Sequence, residues 1–174
     1  KVFKTDMIAF TVTMLATIVL DLTQAILLGS FLAGAVFINK IASIDIEVQD
    51  VDVNRLREKG IKTDGRCRHV RVAFLTGPLF FAATGQFNEA FSNLKDTHAL
   101  ILSMRGVSLI DTAGIEALHK LHERLHKQGG TLMFAGLHDN ARTMMERDGL
   151  VEIIGEKNFF WSSDQAIVEA EKRG

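Results

Sequence analysis

The order of residues specifies an α/β domain with a mostly parallel sheet, preceded by a short transmembrane helical hairpin. Three patterns point there. Between Met7 and Asn39 the only charged residue is Asp21. From Ile41 onward, strand-like apolar runs alternate with amphipathic helical stretches, the pattern of βαβ units with right-handed crossovers. Glycines or capping residues stand where the period changes, as helix starts and stops require.

The apolar region divides in two. Met7 to Leu20 is a run of 14 residues with nothing more polar than Thr, and Ala25 to Ile38 is a second run of 14. Neither alternates at period 2 or keeps its apolar residues on one face, and a helix apolar all round must be buried in protein or lipid. Lipid is the expected solvent here, because the 134 residues after Lys40 would otherwise have to wrap two such helices completely. Each run is shorter than the roughly 20 residues of a full span, and one helix through both would overshoot the hydrocarbon core. Asp21-Leu22-Thr23-Gln24 therefore reads as the turn of a hairpin, with Asp21 at the outer interface. Lys1 and Lys4 before it, and Lys40, Arg55, Arg57 and Lys59 after it, place both ends in the cytoplasm. Gly29, Ser30, Ala33, Gly34 and Ala35 would let the second helix approach its neighbours closely. The start at Lys1, without an initiator Met, agrees with a truncated membrane domain, giving two parts: 1–42 and 43–174.

The second part has an ordinary composition, 17 Lys+Arg against 19 Asp+Glu from Ile41 onward. The whole chain carries a net charge of -1. That leaves no general electrostatic case for nucleic acid as a partner. A single cysteine, Cys67, excludes an internal disulfide framework and a Cys-rich zinc site.

Element by element, Ser43 to Val53 alternates apolar and polar like a half-buried strand. Asn54 to Arg68, with six Lys/Arg and two Gly, reads as a solvated basic linker that anionic lipid heads would attract. Val70 to Leu75 is a strand, Thr76-Gly77-Pro78 a turn, and Leu79 to Ala83 a short buried strand. Gln86 to Leu94 has helical spacing, and Ala99 to Met104 is a fully buried strand. Thr112 to Lys127 is the strongest helix, with Ile115, Leu118, Leu121 and Leu125 on its apolar face and Gly129-Gly130 ending it. Thr131 to Ala135 is a strand, Ala141 to Arg147 a helix closed by Gly149, and Val151 to Ile154 a last short strand. Ser163-Asp164 caps a terminal helix that runs through Glu171.

The informative stretch joins the buried strand to the best helix. Asp111 and Thr112 both suit a helix N-cap, and a carboxylate there meets the positive end of the helix dipole. Leu109-Ile110-Asp111-Thr112-Ala113-Gly114 resembles the signature loop of STAS domains, which occur in bacterial anti-sigma-factor antagonists and in SulP-family anion transporters. Gly77-Pro78-Leu79-Phe80-Phe81-Ala82 is similar to the strand that SulP STAS domains carry at that place. The apolar pair ahead of it, with Thr5-Asp6 and Asp21-Leu22, resembles the last two membrane segments of a SulP transporter. Lys4 to Ala42 looks most like the cyanobacterial-type bicarbonate transporters.

The resemblance implies a multi-pass protein of the cell inner (plasma) membrane with its STAS domain in the cytoplasm. It implies a homodimer, contact with membrane lipid, and sodium-dependent bicarbonate uptake through membrane segments that precede this stretch. Sulfate or dicarboxylate carriers share the architecture, and a soluble antagonist-type STAS module is the alternative from another class. The regulatory loop is then Asp111, Thr112, Ala113 and Gly114. Antagonist-type domains have a phosphorylatable Ser immediately before the loop glycine. Ala113 stands there and has no hydroxyl. Thr112 could accept phosphate at a helix N-terminus, although an N-cap threonine already has a structural task.

No catalytic elbow, P-loop or dinucleotide fingerprint is present, so no enzyme activity and no cofactor is expected. His119, His122 and His126 share a helical stripe. No carboxylate or Cys completes a metal set beside them, and a partly solvated border is the better reading. Phe159-Phe160-Trp161 reads as an anchor for the terminal helix rather than an exposed docking patch.

Overall fold

The computed structural model describes residues 7, 10–15, 21–41, 43–51 and 69–173. The chain divides into two compact units, Lys1–Ala42 and Ser43–Gly174.

In the first unit residues 10–15 are helical and α1 runs Leu22–Ile41. Asp21 lies outside the helix and its carbonyl accepts from Ala25 N at 3.0 Å, so the polar break is a helix start. The two helical pieces pack at Gly29, where a Cβ would stand 3.0 Å from Thr13 Cγ2, and Ala25 is buried. Gly34 faces open space instead. Ile26, Leu27 and Leu28, about 100° apart around a helix, are 58%, 66% and 38% exposed. Phe10, Phe31 and Phe37 are exposed as well. Among the described residues no helix is long and apolar enough to cross a membrane. Lys1, Lys4 and Thr5-Asp6 lie outside the described residues, as do the basic linker from Asn54 to Arg68 and Cys67.

The second unit is one five-stranded sheet in the order β1-β2-β3-β4-β5. Its strands are β1 (Asp45–Asp50), β2 (Val70–Thr76), β3 (Ala99–Gly106), β4 (Thr131–Ala135) and β5 (Phe159–Phe160). β1 pairs antiparallel to β2 with Glu47 opposite Phe74, and every other pair is parallel. The helices are α2 (Thr84–Ala90), α3 (Thr112–Lys127), α4 (Asp139–Asp148), α5 (Leu150–Ile154) and α6 (Ser163–Arg173). Strand alternation sends Ala73, Leu75, Leu100, Leu102, Met104, Leu132 and Phe134 to one face. There they meet Phe87 of α2, Leu118 and Leu121 of α3, Met145 of α4 and Leu150 of α5. The opposite face, Val70, Val72, Ile101 and Met133, is covered by Ala166, Ile167 and Ala170 of α6. A strand buried on both faces reads as a continuous apolar run, which is why β3 and β4 are so visible in the sequence.

Three expectations are corrected. Leu79 to Ala83 is no strand: only Leu79 forms a bridge, to Ile110, and the chain turns with Ala83 N donating to Phe80 O at 2.8 Å. Val151 to Ile154 is not a strand but part of α5. Gly149 stops α4 at φ 82 and starts a new turn, and the buried Leu150, Val151 and Ile154 then have helical spacing. β-branched residues over so short a run mimic a strand. The terminal helix is capped one residue earlier than expected, Ser162 Oγ accepting from Gln165 N at 3.3 Å.

Candidate functional site

The signature loop sits at the carboxyl end of the parallel strands, where open α/β sheets place their ligand-facing loops. Asp111 holds it together. It is the N-cap of α3, with extended backbone (φ -109, ψ -178), and its Oδ1 accepts from Gly114 N at 2.8 Å. The other oxygen, Oδ2, accepts from Phe81 N at 3.1 Å, thirty positions upstream. Backbone bonds close the same junction: Leu79 N donates to Leu109 O at 2.9 Å, and Asp111 N to Leu79 O at 3.3 Å. One carboxylate therefore caps a helix and fastens a second loop.

Gly114 is there because of that closeness. A Cβ on it would overlap the Leu79 carbonyl oxygen and stand 3.1 Å from Ile110 Cγ2. Thr112 is the first residue of α3 and exposed, so the N-cap role weighed for it belongs to Asp111 alone. Ala113 is half-buried and adds no polar atom. The rim is apolar and bare: Phe81 is 66% exposed and Leu109 57%. Such a loop presents a fixed apolar rim, with the Thr112 side chain exposed beside it. Sequence reading found Asp111 to Gly114 but not the link to Phe81, which no local pattern announces.

The histidine stripe separates into pairs. His119 Nε2 lies 2.5 Å from Asp148 Oδ2, tying α3 to the end of α4, while His122 and His126 stack at 5.8 Å. Among the described residues no three His, Cys, Asp or Glu converge on a possible metal position. Burial, then the neighbouring His126 and His119, hold the His122 imidazole below its ordinary 6.5, against a smaller opposing pull from Glu123. Its Nδ1 is buried without a partner. The unfolded chain thus binds a proton at His122 more readily than the folded one. Stability should fall as pH drops through the region below 6.5 and level off once the folded imidazole is also protonated. His122→Gln should flatten that fall, read as a smaller difference in urea midpoint between about pH 7.5 and pH 5.5.

The aromatic run is divided too. Phe159 stacks on Phe134 at 5.2 Å, and Phe160 packs on the α6 side of the sheet. Trp161 is 80% exposed, so its ring is not part of the anchor.

The comparisons with known proteins agree with this geometry. The family model described as the STAS domain matches residues 61–166. This chain belongs to the STAS domain family. It is 24% identical over 162 residues to the "Putative sulfate transporter YvdB" of Bacillus subtilis (strain 168), covering 92% of this chain but only 29% of that protein. It is 27% identical to the solved SulP transporter STAS domain from Vibrio cholerae, with a TM-score of 0.56 over 69% of this chain and 93% of that one. The fold of the murine anion transporter Slc26a9, in the inward-facing state, is matched over 97% of this chain and 29% of that chain, with TM-score 0.73 and 23% identity. Within its family the chain is thus similar to the STAS domains of SulP-type transporters.

Proposed function

We propose that this chain is the carboxy-terminal portion of a SulP-type secondary anion transporter: two closing membrane helices and a cytoplasmic STAS domain that regulates and pairs the carrier. The observation that carries the reading is the first unit itself. Phe10, Ile26, Leu27, Phe31 and Phe37 are each more than half exposed, on helices apolar all round, directly ahead of a STAS domain. Large exposed apolar surface of that kind needs lipid or other membrane helices around it. The fold likeness to a transporter over nearly the whole chain supports the same assignment.

The soluble-antagonist alternative fits less well. It leaves those apolar helices in water, and it lacks the hydroxyl before Gly114 on which a kinase switch would act. The loop's role in this reading is docking, not catalysis. Phe81 and Leu109 supply an apolar surface through which two copies of the carrier pair in the inner membrane.

Transport would use alternating access around a site in earlier membrane segments. Sulfate is the cargo to test first, since the curated relative is named for it. Bicarbonate and sodium coupling remain the expectation drawn from the look of residues 4–42. Uptake of labelled sulfate and bicarbonate by proteoliposomes holding the complete polypeptide, with and without a sodium gradient, decides among them. Saturable uptake of either anion supports the carrier; uptake of neither, by protein shown to be folded, refutes it.

A further inference from the structure

A cleft lies on the other side of the sheet from α3, between the carboxyl ends of β2 and β3 and the start of α6, with a volume of about 390 Å³. Phe74 and Ile167 give it an apolar wall. Its polar groups are of a different kind. Ser103, opposite Phe74 and Ala135 in the sheet, is only 7% exposed, and the surface it keeps opens into the cleft. Its hydroxyl makes no hydrogen bond among the described residues. The serine is nine-tenths enclosed among apolar neighbours such as Ile101, and its unpaired hydroxyl opens only into the cleft, where a ligand can take up its hydrogen bond.

Arg105 follows two positions along β3, on the same face and lining the same cleft. Its stem crosses Gly136, and Nη2 donates to Trp161 O at a long 3.4 Å. The backbone beneath is fixed by His138 Nε2, 2.8 Å from Arg105 O. No carboxylate pairs with this guanidinium among the described residues, so most of its donor fork stays open. The third group is the first turn of α6. Ser162 spends its hydroxyl on Gln165 N and its carbonyl on Ala166 N. The amides of Ser163 and Asp164, as in any first turn, have no acceptor within the helix. One group opposes an anion: the exposed Asp164 carboxylate at the mouth.

We propose that this cleft binds a tetrahedral oxyanion of the sulfate or phosphate type, held by the Arg105 guanidinium, the Ser103 hydroxyl and the amides of Ser163 and Asp164. Guanidinium forks and helix N-termini are each suited to such groups, and here the cleft-facing hydroxyl of a largely buried serine completes the set. The ion is either free or the phosphate of a larger molecule such as a nucleotide, whose base could extend toward the exposed Trp161. The assignment does not depend on the transport reading, because it concerns the STAS domain's own cleft.

Trp161 is the chain's only tryptophan and reports on the site. The full chain in detergent is titrated with sodium sulfate, sodium phosphate and adenosine monophosphate at constant ionic strength set by chloride. Saturable change with sulfate or phosphate is expected, and tighter binding of the nucleotide identifies the larger ligand as the source. Arg105→Gln should weaken binding about tenfold and Ser103→Ala roughly threefold, whereas Asp164→Asn should tighten it roughly threefold. The last variant guards against simple loss of folding, since it gains affinity. A response that chloride reproduces, or one that Arg105→Gln and Asp164→Asn leave unchanged, overturns the proposal.

Discussion

Alanine in place of Gly114 should lower unfolding stability by about 3 kcal/mol, an overpacking cost. The added methyl would enter the space of the Leu79 carbonyl and press on Ile110 Cγ2 at 3.1 Å. Neither neighbour can step aside cheaply. Leu79 is buried and bridged to Ile110, and its own N–H and C=O are committed to Leu109 and Asp111. Relief requires α3 to move away, which stretches the Asp111 bonds to Gly114 N and Phe81 N. Urea unfolding read through Trp161 measures the loss. Hydrogen exchange should rise first at Phe81 and Gly114. Asp111→Asn, which keeps acceptor oxygens, should cost less than Asp111→Ala, about 1–2 kcal/mol for a lost N-cap of this type.

Phe134→Ala should have the largest effect in the domain, about 3–5 kcal/mol. The ring is fully buried on β4, between the helices of one face and the stacked ring of Phe159. β5 is only two residues long, and its pairing with β4 runs through Phe134 opposite Phe159. Removing the ring therefore leaves a cavity and also loosens the strand that leads into α6. Increased exchange in Ala166 to Ala170 tests that second consequence. Phe134→Leu, which keeps most of the volume, should cost well under half as much. Equal loss for both variants would mean that ring stacking, not volume, holds β5.

The parts legible in the sequence were those whose burial is one-sided or complete. α3 reads cleanly because Ile115, Leu118, Leu121 and Leu125 keep one face while Glu116, Lys120 and Glu123 keep the other. β3 and β4 read cleanly because both of their faces are covered. The errors fall where a few apolar residues admit two periods. Val151-Glu152-Ile153-Ile154 suits a strand by residue type, and only the left-handed Gly149 and the buried Leu150 turn it into a helix. Leu79 to Ala83 is apolar enough for a strand, but Asp111, far along the chain, bends it into a turn through Phe81 N. The cleft at Ser103 and Arg105 was invisible for a related reason. It depends on α6 covering one part of the sheet and not the next, a tertiary fact without a local signature. The signature loop itself was legible down to Asp111 as a cap, but not the division of labour that leaves Thr112 exposed.

The central claim is that residues 1–42 live among lipids and the STAS domain does not. It is tested most directly by expressing the full chain and residues 43–174 separately, then washing the membrane fraction with alkaline carbonate. The account predicts that the full chain stays in the pellet while 43–174 is recovered folded without detergent. A full chain released by carbonate into the supernatant as a folded, monodisperse protein would contradict it.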